Sequence, residues 1–154
     1  MQPDQRQARP QIIHARYPIF ILDVAKTATA CRDVTEIVAH FRRLIERHPC
    51  ARFLGVFDHM AHTRALPDGE IAEGILDAQN VVFCFGMSIP NPEILALRPR
   101  SIGIAELTDR FVVSFLETPM PLANSAMETW TQALLVSPQP GSGQANDRPC
   151  SQLR

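Results

Sequence analysis

A chain of 154 residues, of which 45% are apolar, is long enough to form one globular domain with its own core. Its 15 Lys and Arg residues nearly balance its 16 Asp and Glu residues, and the net charge of -1 provides no long-range field to attract nucleic acid or an anionic membrane. We therefore expect neither nucleic acid nor membrane as a partner.

The N-terminal segment lacks the apolar region of a signal peptide, and no apolar run approaches the roughly 18 residues that cross a bilayer. The cysteines at positions 31, 50, 84 and 150 show neither a CxxC motif nor another close pairing. Such usage suits reduced thiols better than a disulfide framework. We therefore predict a cytoplasmic protein.

Both ends of the chain have compositions typical of disordered segments. Residues 1–12 are rich in Gln, Arg and Pro, and residues 137–154 are rich in Ser, Pro, Gly and Gln with few apolar side chains. Neither segment buries enough surface to offset the entropy of ordering it. We predict disordered tails at 1–12 and 137–154 and a single α+β domain at 13–136.

The first half of this domain predicts a strand, a helix and a second strand. IFILDVA at 19–25 has the length and β-branched content of a strand. Apolar residues then recur at helical spacing through 33–48, where Asp33 and Glu36 resemble a capping box. The run ARFLGVF at 51–57 predicts the next strand.

The second half predicts a third strand, a hairpin and a final helix. VVFCFGM at 81–87 is the third strand. The runs at 101–107 and 110–117 are joined by two polar residues, and so short a connection indicates antiparallel pairing. A last helix is predicted to begin near Ser125, because Ser125 and Glu128 again match a capping box.

These elements predict an α+β two-layer sandwich of about five mostly antiparallel strands with helices on one face. The strands VVFCFG and FVVSFL are apolar at odd and even positions alike, which indicates that both faces of the sheet are covered. Two long helices cover only one face, and we therefore expect a second copy to cover the other, giving a homodimer. The alternative is that residues 63–80 and 88–100 fold back over that face.

Three short motifs follow the predicted first helix along the chain. They are a strand ending in Asp58-His59, a strand ending in Phe85-Gly86, and the hairpin end Ser114-Phe115-Leu116-Glu117 leading to Pro119. This pattern, over roughly residues 33–119, resembles the bacterial family catalogued as domain of unknown function 302. The resemblance implies a compact α+β fold that is often dimeric, and it implies no established activity.

The stretch GVFDHMAHT carries the first candidate site. If Asp58 caps a helical turn, His59 and His62 share a face at a spacing that lets two imidazoles bind one metal ion. Cys84 and Met87, at the end of another predicted strand, are the soft donors that would complete a zinc or copper site. The alternative is that Asp58 is only a helix cap and that both histidines are exposed polar residues.

A thiol-dependent enzyme is the second candidate. In it Cys84 is the nucleophile, His59 or His62 activates the thiol, and Asp58 orients the base. The phenylalanines on either side of Cys84 disfavour its thiolate by desolvation, which makes a small buried core residue the better interpretation.

The third candidate is the stretch GMSIPNPEILALRPRS at 86–101. Its prolines predict a stiff loop, and Arg98 and Arg100 are suited to receive a carboxylate or phosphate group. Neither GxGxxG nor GxxxxGK[ST] occurs, and the loop is therefore not a nucleotide signature. The alternative is a surface loop with solvated arginines.

We favour a small cytoplasmic binding or accessory protein, homodimeric, with a small-anion or transition-metal site near His59, His62 and Cys84. A thiol-dependent enzyme and a purely structural or interaction protein are the alternatives.

Overall fold

The computed structural model describes residues 9–13 and 17–136 of the chain. In this part of the chain, six strands form one sheet: β1 (Arg9–Ile13), β2 (Tyr17–Ala25), β3 (Ala51–Asp58), β4 (Asp77–Phe85), β5 (Arg100–Glu106) and β6 (Arg110–Leu116). Three α-helices accompany them, α1 (Val34–Arg47), α2 (His59–Ala65) and α3 (Pro121–Gln132), with 3-10 helices at Lys26–Ala28 and Pro92–Leu97. No helix in these described ranges is long and apolar enough to cross a membrane.

The sheet is antiparallel throughout, with the strand order β1-β2-β6-β5-β4-β3. Strands β2 to β6 correspond to the five runs that the sequence predicts as strands, and the expected α+β fold is confirmed. The hairpin between β5 and β6 is antiparallel, as its short connection predicts.

Strand β1 is the element that the sequence did not predict. Residues 9–12, which composition assigns to a disordered tail, instead pair with β2 at the edge of the sheet. A proline is tolerated in an edge strand, and pairing with β2, the next strand along the chain, orders a segment whose own composition is polar. The remaining parts of the predicted tails, 1–8 and 137–154, lie outside the described residues.

One face of the sheet carries the core. Along β4, Val81, Phe83 and Phe85 are buried, whereas the intervening Val82 and Cys84 are only half-buried. The buried set packs with α1 and α3, and Phe83 meets the ring of Trp130 on α3 edge-on at 5.6 Å between centroids. Each such side chain stabilises the fold by about 1.5–3 kcal/mol.

The first helix begins as predicted, with one difference in its cap. The carboxylate of Asp33 accepts a hydrogen bond from the backbone N–H of Glu36 at 2.9 Å. The carboxylate of Glu36 accepts from the N–H of Arg32 at 2.7 Å, one residue before the position that a capping box uses. The carboxylates of Asp33 and Glu36 therefore both accept backbone hydrogen bonds at the start of α1.

The last helix begins earlier than the sequence predicts. It starts at Pro121, while Ser125 lies inside it and its carbonyl accepts from the hydroxyl of Thr129 at 2.8 Å. Proline suits the first helical position because its φ is already helical and its missing N–H would have no partner there. This signal outweighs the capping pattern at Ser125.

A buried histidine joins α1 to α3. The ring Nε2–H of His40 donates to the carbonyl of Trp130 at 2.8 Å, which fixes the proton on Nε2 because a carbonyl only accepts. Burial lowers the pKa of His40, and the nearby charge of Arg43 lowers it further.

The other face of the sheet is mixed in polarity. One row crosses it through Ile21, Ser114, Gly103 and Asn80, residues that are paired directly from strand to strand and so share this side. All four are half-buried.

Strand β3 forms the second edge of the sheet and contains a bulge. The register with β4 shifts between Phe53 and Gly55, which leaves Leu54 as an extra residue with its side chain 53% exposed.

The cysteines divide into two groups. Cys31 and Cys84 are free thiols. Cys50 is disulfide-bonded, and the expectation of reduced thiols throughout is therefore wrong at this position. Sequence spacing does not reveal such a bond, because pairing depends on the fold.

Candidate functional site

The predicted cap at Asp58 is confirmed. Its carboxylate accepts a hydrogen bond from the N–H of Ala61 at 2.8 Å where β3 passes into α2. The exposed rings of His59 and His62 both lie against Phe57, with centroids 4.6 and 5.3 Å away. The two histidines therefore share one surface, as their spacing predicts.

The other proposed ligands do not join them. Asp58 pairs with Gln79, whereas Cys84 pairs with Arg52 at the opposite end of β3. Gln79 and Cys84 are five positions apart along β4, which is roughly 16 Å at about 3.3 Å per residue. The C-terminal ends of neighbouring antiparallel strands lie at opposite ends of the strand pair. Met87, which follows the end of β4, therefore lies near Cys84 and far from the histidines that follow β3.

This separation affects two hypotheses. Among the described residues, no group of three or more His, Cys, Asp or Glu side chains is placed to hold a metal ion. The set His59, His62, Cys84 and Met87 is therefore not assembled. The thiol mechanism loses its bases as well, since both histidines lie far from the thiol.

The two arginines, by contrast, line one cleft of about 220 Å³ between the sheet, the loop after β4 and the start of α3. Its walls are Phe85, Ile94, Leu97, Arg98, Arg100, Thr118, Pro119, Met120, Pro121 and Ala123. Two of these ten residues are cationic, none is acidic and most are apolar. The cleft is therefore an apolar recess with a positive charge at its wall.

Arg100 begins the central strand β5 and faces the core side of the sheet. It pairs directly with the buried Phe83, and only 9% of its surface is exposed. Its Nη2 donates to the carbonyl of Leu116, and its Nη1 lies 3.5 Å from the carbonyl of Leu97, a weak contact.

Two features of the Arg100 guanidinium, one N–H group and the positive charge, lack a partner within the described residues. The Nε–H of Arg100 is buried and has no hydrogen-bond acceptor among the described residues, and none of the acidic residues in these ranges forms an ion pair with Arg100. Burial lowers the pKa of Arg100, because desolvation disfavours the charged form. A buried cation without a counter-ion costs free energy that a bound anion would offset.

The second guanidinium, of Arg98, lies against the end of β4. Its Nη1 donates to the carbonyl of Ser88 at 2.7 Å. Gly86 adopts a φ of +128°, and a Cβ there would collide with Nη2 of Arg98 and lie 3.0 Å from its Cζ. Only glycine therefore leaves room for this guanidinium.

The first turn of α3 forms another wall. Thr118 and Asn124 hold it in place through reciprocal hydrogen bonds, from the N–H of Thr118 to the Asn124 side chain at 2.9 Å and from that amide to the carbonyl of Thr118 at 2.8 Å. Met120, at the N-cap, offers no side-chain capping bond. Met120, Pro121 and Ala123 line the cleft, and the partial positive charge of the helix end therefore lies beside it.

The sequence predicted both arginines as ligand-binding residues, but it did not predict that the start of α3 and Gly86 lie beside them. Pro121 at the first helical position was the available signal that α3 begins beside the cleft. The contact between Gly86 and Arg98 had no sequence signal, because it depends on how the loop returns to the sheet.

Comparison with known proteins identifies a family and no activity. The model described as Family of unknown function (DUF6858) matches residues 8–136. No curated protein and no solved structure matches the chain. The expectation of a family of unknown function is confirmed, but the matching family is not domain of unknown function 302, because a few residues at strand ends do not separate one α+β family from another. Since the match spans most of the sequence, the chain belongs to the family of unknown function DUF6858.

Proposed function

We propose that this protein is a small binding or accessory protein that takes up a small anion in the cleft lined by Arg98 and Arg100. The observation that carries the proposal is the buried guanidinium of Arg100, which is 9% exposed and has an Nε–H without an acceptor. A carboxylate or phosphate oxygen at this N–H would form a charge-assisted hydrogen bond. It would also offset the cost of burying the cation.

The lining of the cleft supports binding over catalysis. The ten described residues that line it include no Cys, His, Asp or Glu, the residues that most often transfer protons or act as nucleophiles. Thr118 adds a hydroxyl, which suits it to hold an oxygen of the ligand. The alternative with Cys84 as nucleophile has less support, because the proposed bases His59 and His62 lie at the other end of β3.

Thermal unfolding with a panel of anions tests the proposal. An anion present at about 100 times its Kd stabilises the folded protein by about 2.7 kcal/mol, and the melting temperature should rise by about 5–10 °C. The Arg100→Gln variant should lose most of this rise. The matched control is Arg52→Gln, which removes an exposed arginine outside the cleft and should keep it.

Two outcomes would contradict the proposal. One is the absence of stabilisation by any small anion, and the other is an equal rise in the Arg100→Gln variant. If Arg100→Gln does not fold, Arg98→Gln replaces it, because Arg98 is partly exposed and should be easier to substitute.

Three other predictions from the sequence concern the oligomeric state, the compartment and a metal site. Homodimer formation stays a prediction, supported by the half-buried Ile21, Val82 and Val112 on the sheet face opposite the core, and light scattering at micromolar concentration tests it. The cytoplasm stays the predicted compartment. A transition-metal site is not part of the proposal, since His59 and His62 have no third ligand near them within the described residues.

A further inference from the structure

We propose that the ligand of this cleft is a short carboxylic acid with an apolar tail. The inference rests on the anion site proposed above and adds the chemical class of the ligand. Three features of the cleft carry it: its volume, its buried positive charge and the nature of its walls.

The volume sets an upper limit on the ligand. The cleft measures about 220 Å³. Pockets for drug-sized ligands hold about 300–1,000 Å³, and a nucleotide or a dinucleotide cofactor belongs to that class. A molecule with a few carbon atoms and one charged group fits the smaller space.

The donors suit a single negative charge. Arg100 already donates from Nη2 to Leu116, and Arg98 donates from Nη1 to Ser88. Among the described residues the Nε–H of Arg100 has no acceptor, and Thr118 brings a hydroxyl to the same cleft. Of the two lining arginines only Arg100 is deeply buried, and one buried positive charge suits the single charge of a carboxylate better than the nearly two charges of a phosphate group.

The walls beyond the arginines favour an apolar tail. Phe85, Ile94, Leu97 and Met120 face the same cleft. An inorganic ion makes no use of these side chains, whereas an alkyl or aryl group removes them and itself from water. Each buried methylene should tighten binding about three- to fourfold, which follows from its transfer free energy.

Isothermal titration calorimetry with acetate, butyrate, hexanoate, butyramide and inorganic phosphate tests the inference. We expect butyrate to bind roughly tenfold more tightly than acetate, with phosphate weaker than butyrate. Butyramide, which keeps the tail and lacks the charge, should bind at least tenfold more weakly than butyrate.

Two variants test whether Leu97 contacts the apolar tail of the ligand. Leu97→Gln should reduce the preference for butyrate over acetate several-fold, because one of the four apolar walls becomes polar. Leu95→Gln is the matched control, because Leu95 belongs to the same 3-10 helix, is 58% exposed and does not line the cleft. It should retain the preference.

The outcomes separate this inference from the proposed function. If phosphate binds as tightly as butyrate, or if affinity does not change with chain length, the carboxylic acid assignment is overturned while the anion site stands. If acetate, butyrate, hexanoate and phosphate all fail to bind, the proposed anion site is overturned together with its ligand class.

Discussion

Replacing Gly86 by alanine tests how the loop after β4 holds Arg98. A residue other than glycine at a φ of +128° costs about 1–3 kcal/mol in backbone strain. The added Cβ also meets the guanidinium of Arg98, which can swing away because it is the end of a flexible side chain. Swinging away breaks its hydrogen bond to Ser88, worth about 0.5–1.5 kcal/mol. We expect a total loss of about 2–4 kcal/mol.

Gly74→Ala is the matched control for this experiment. Gly74 also has a positive φ, of +89°, but a Cβ there meets nothing within 4 Å. It should therefore cost only the backbone strain of about 1–3 kcal/mol. The difference between the two variants, about 1 kcal/mol or 2–4 °C in melting temperature, isolates the displacement of Arg98.

Urea unfolding of both variants and the wild type measures these losses of stability. An anion titration measures how each substitution changes binding in the cleft. We expect weaker anion binding in Gly86→Ala and unchanged binding in Gly74→Ala, because only the first variant moves an arginine of the cleft. Equal destabilisation of the two variants, combined with unchanged anion affinity in Gly86→Ala, would refute the reasoning that Gly86 positions Arg98.

Two further predictions concern α1. Asp33→Ala should lower the free energy of unfolding by about 1 kcal/mol, whereas Asp33→Asn should retain most of it because asparagine caps a helix comparably; equal losses would show that the cap contributes little. Burial lowers the pKa of His40 and of His48 below the ordinary value of 6.5, and the folded state therefore binds fewer protons than the unfolded state. Stability from these groups is present above pH 6.5 and is lost as the pH falls below it. His40→Asn should therefore flatten the pH dependence of urea unfolding below pH 6.5, and an unchanged slope would contradict this interpretation.

The strands β2 to β6 and the helix α1 were predictable because their signals are local. A run of β-branched residues, or an apolar stripe closed by Asp33, needs no knowledge of distant partners. Strand β1 was not predictable in this way, since it is ordered by pairing with β2 at the edge of the sheet. The start of α3 was missed because two signals competed and the proline, rather than Ser125, marks the first turn.

The site was only partly predictable, because strand order decides which strand ends meet. His59 follows one apolar run and Cys84 lies near the end of another, and sequence alone does not tell whether two such strand ends lie at the same end of the sheet. The antiparallel pairing of β3 with β4 places them apart. Arg98 and Arg100 stood out as charges in a loop rich in proline, but the burial of Arg100 follows from its pairing with Phe83 on the core side.

The bulge in β3 has a consequence for how copies of this protein could meet. Edge strands invite another molecule to continue the sheet, and a bulge interrupts the regular row of backbone donors and acceptors that such a continuation requires. With Leu54 inserted out of register, β3 is a poor template for in-register strand addition. Sheet growth from molecule to molecule, the route toward aggregation, is thereby discouraged on this side.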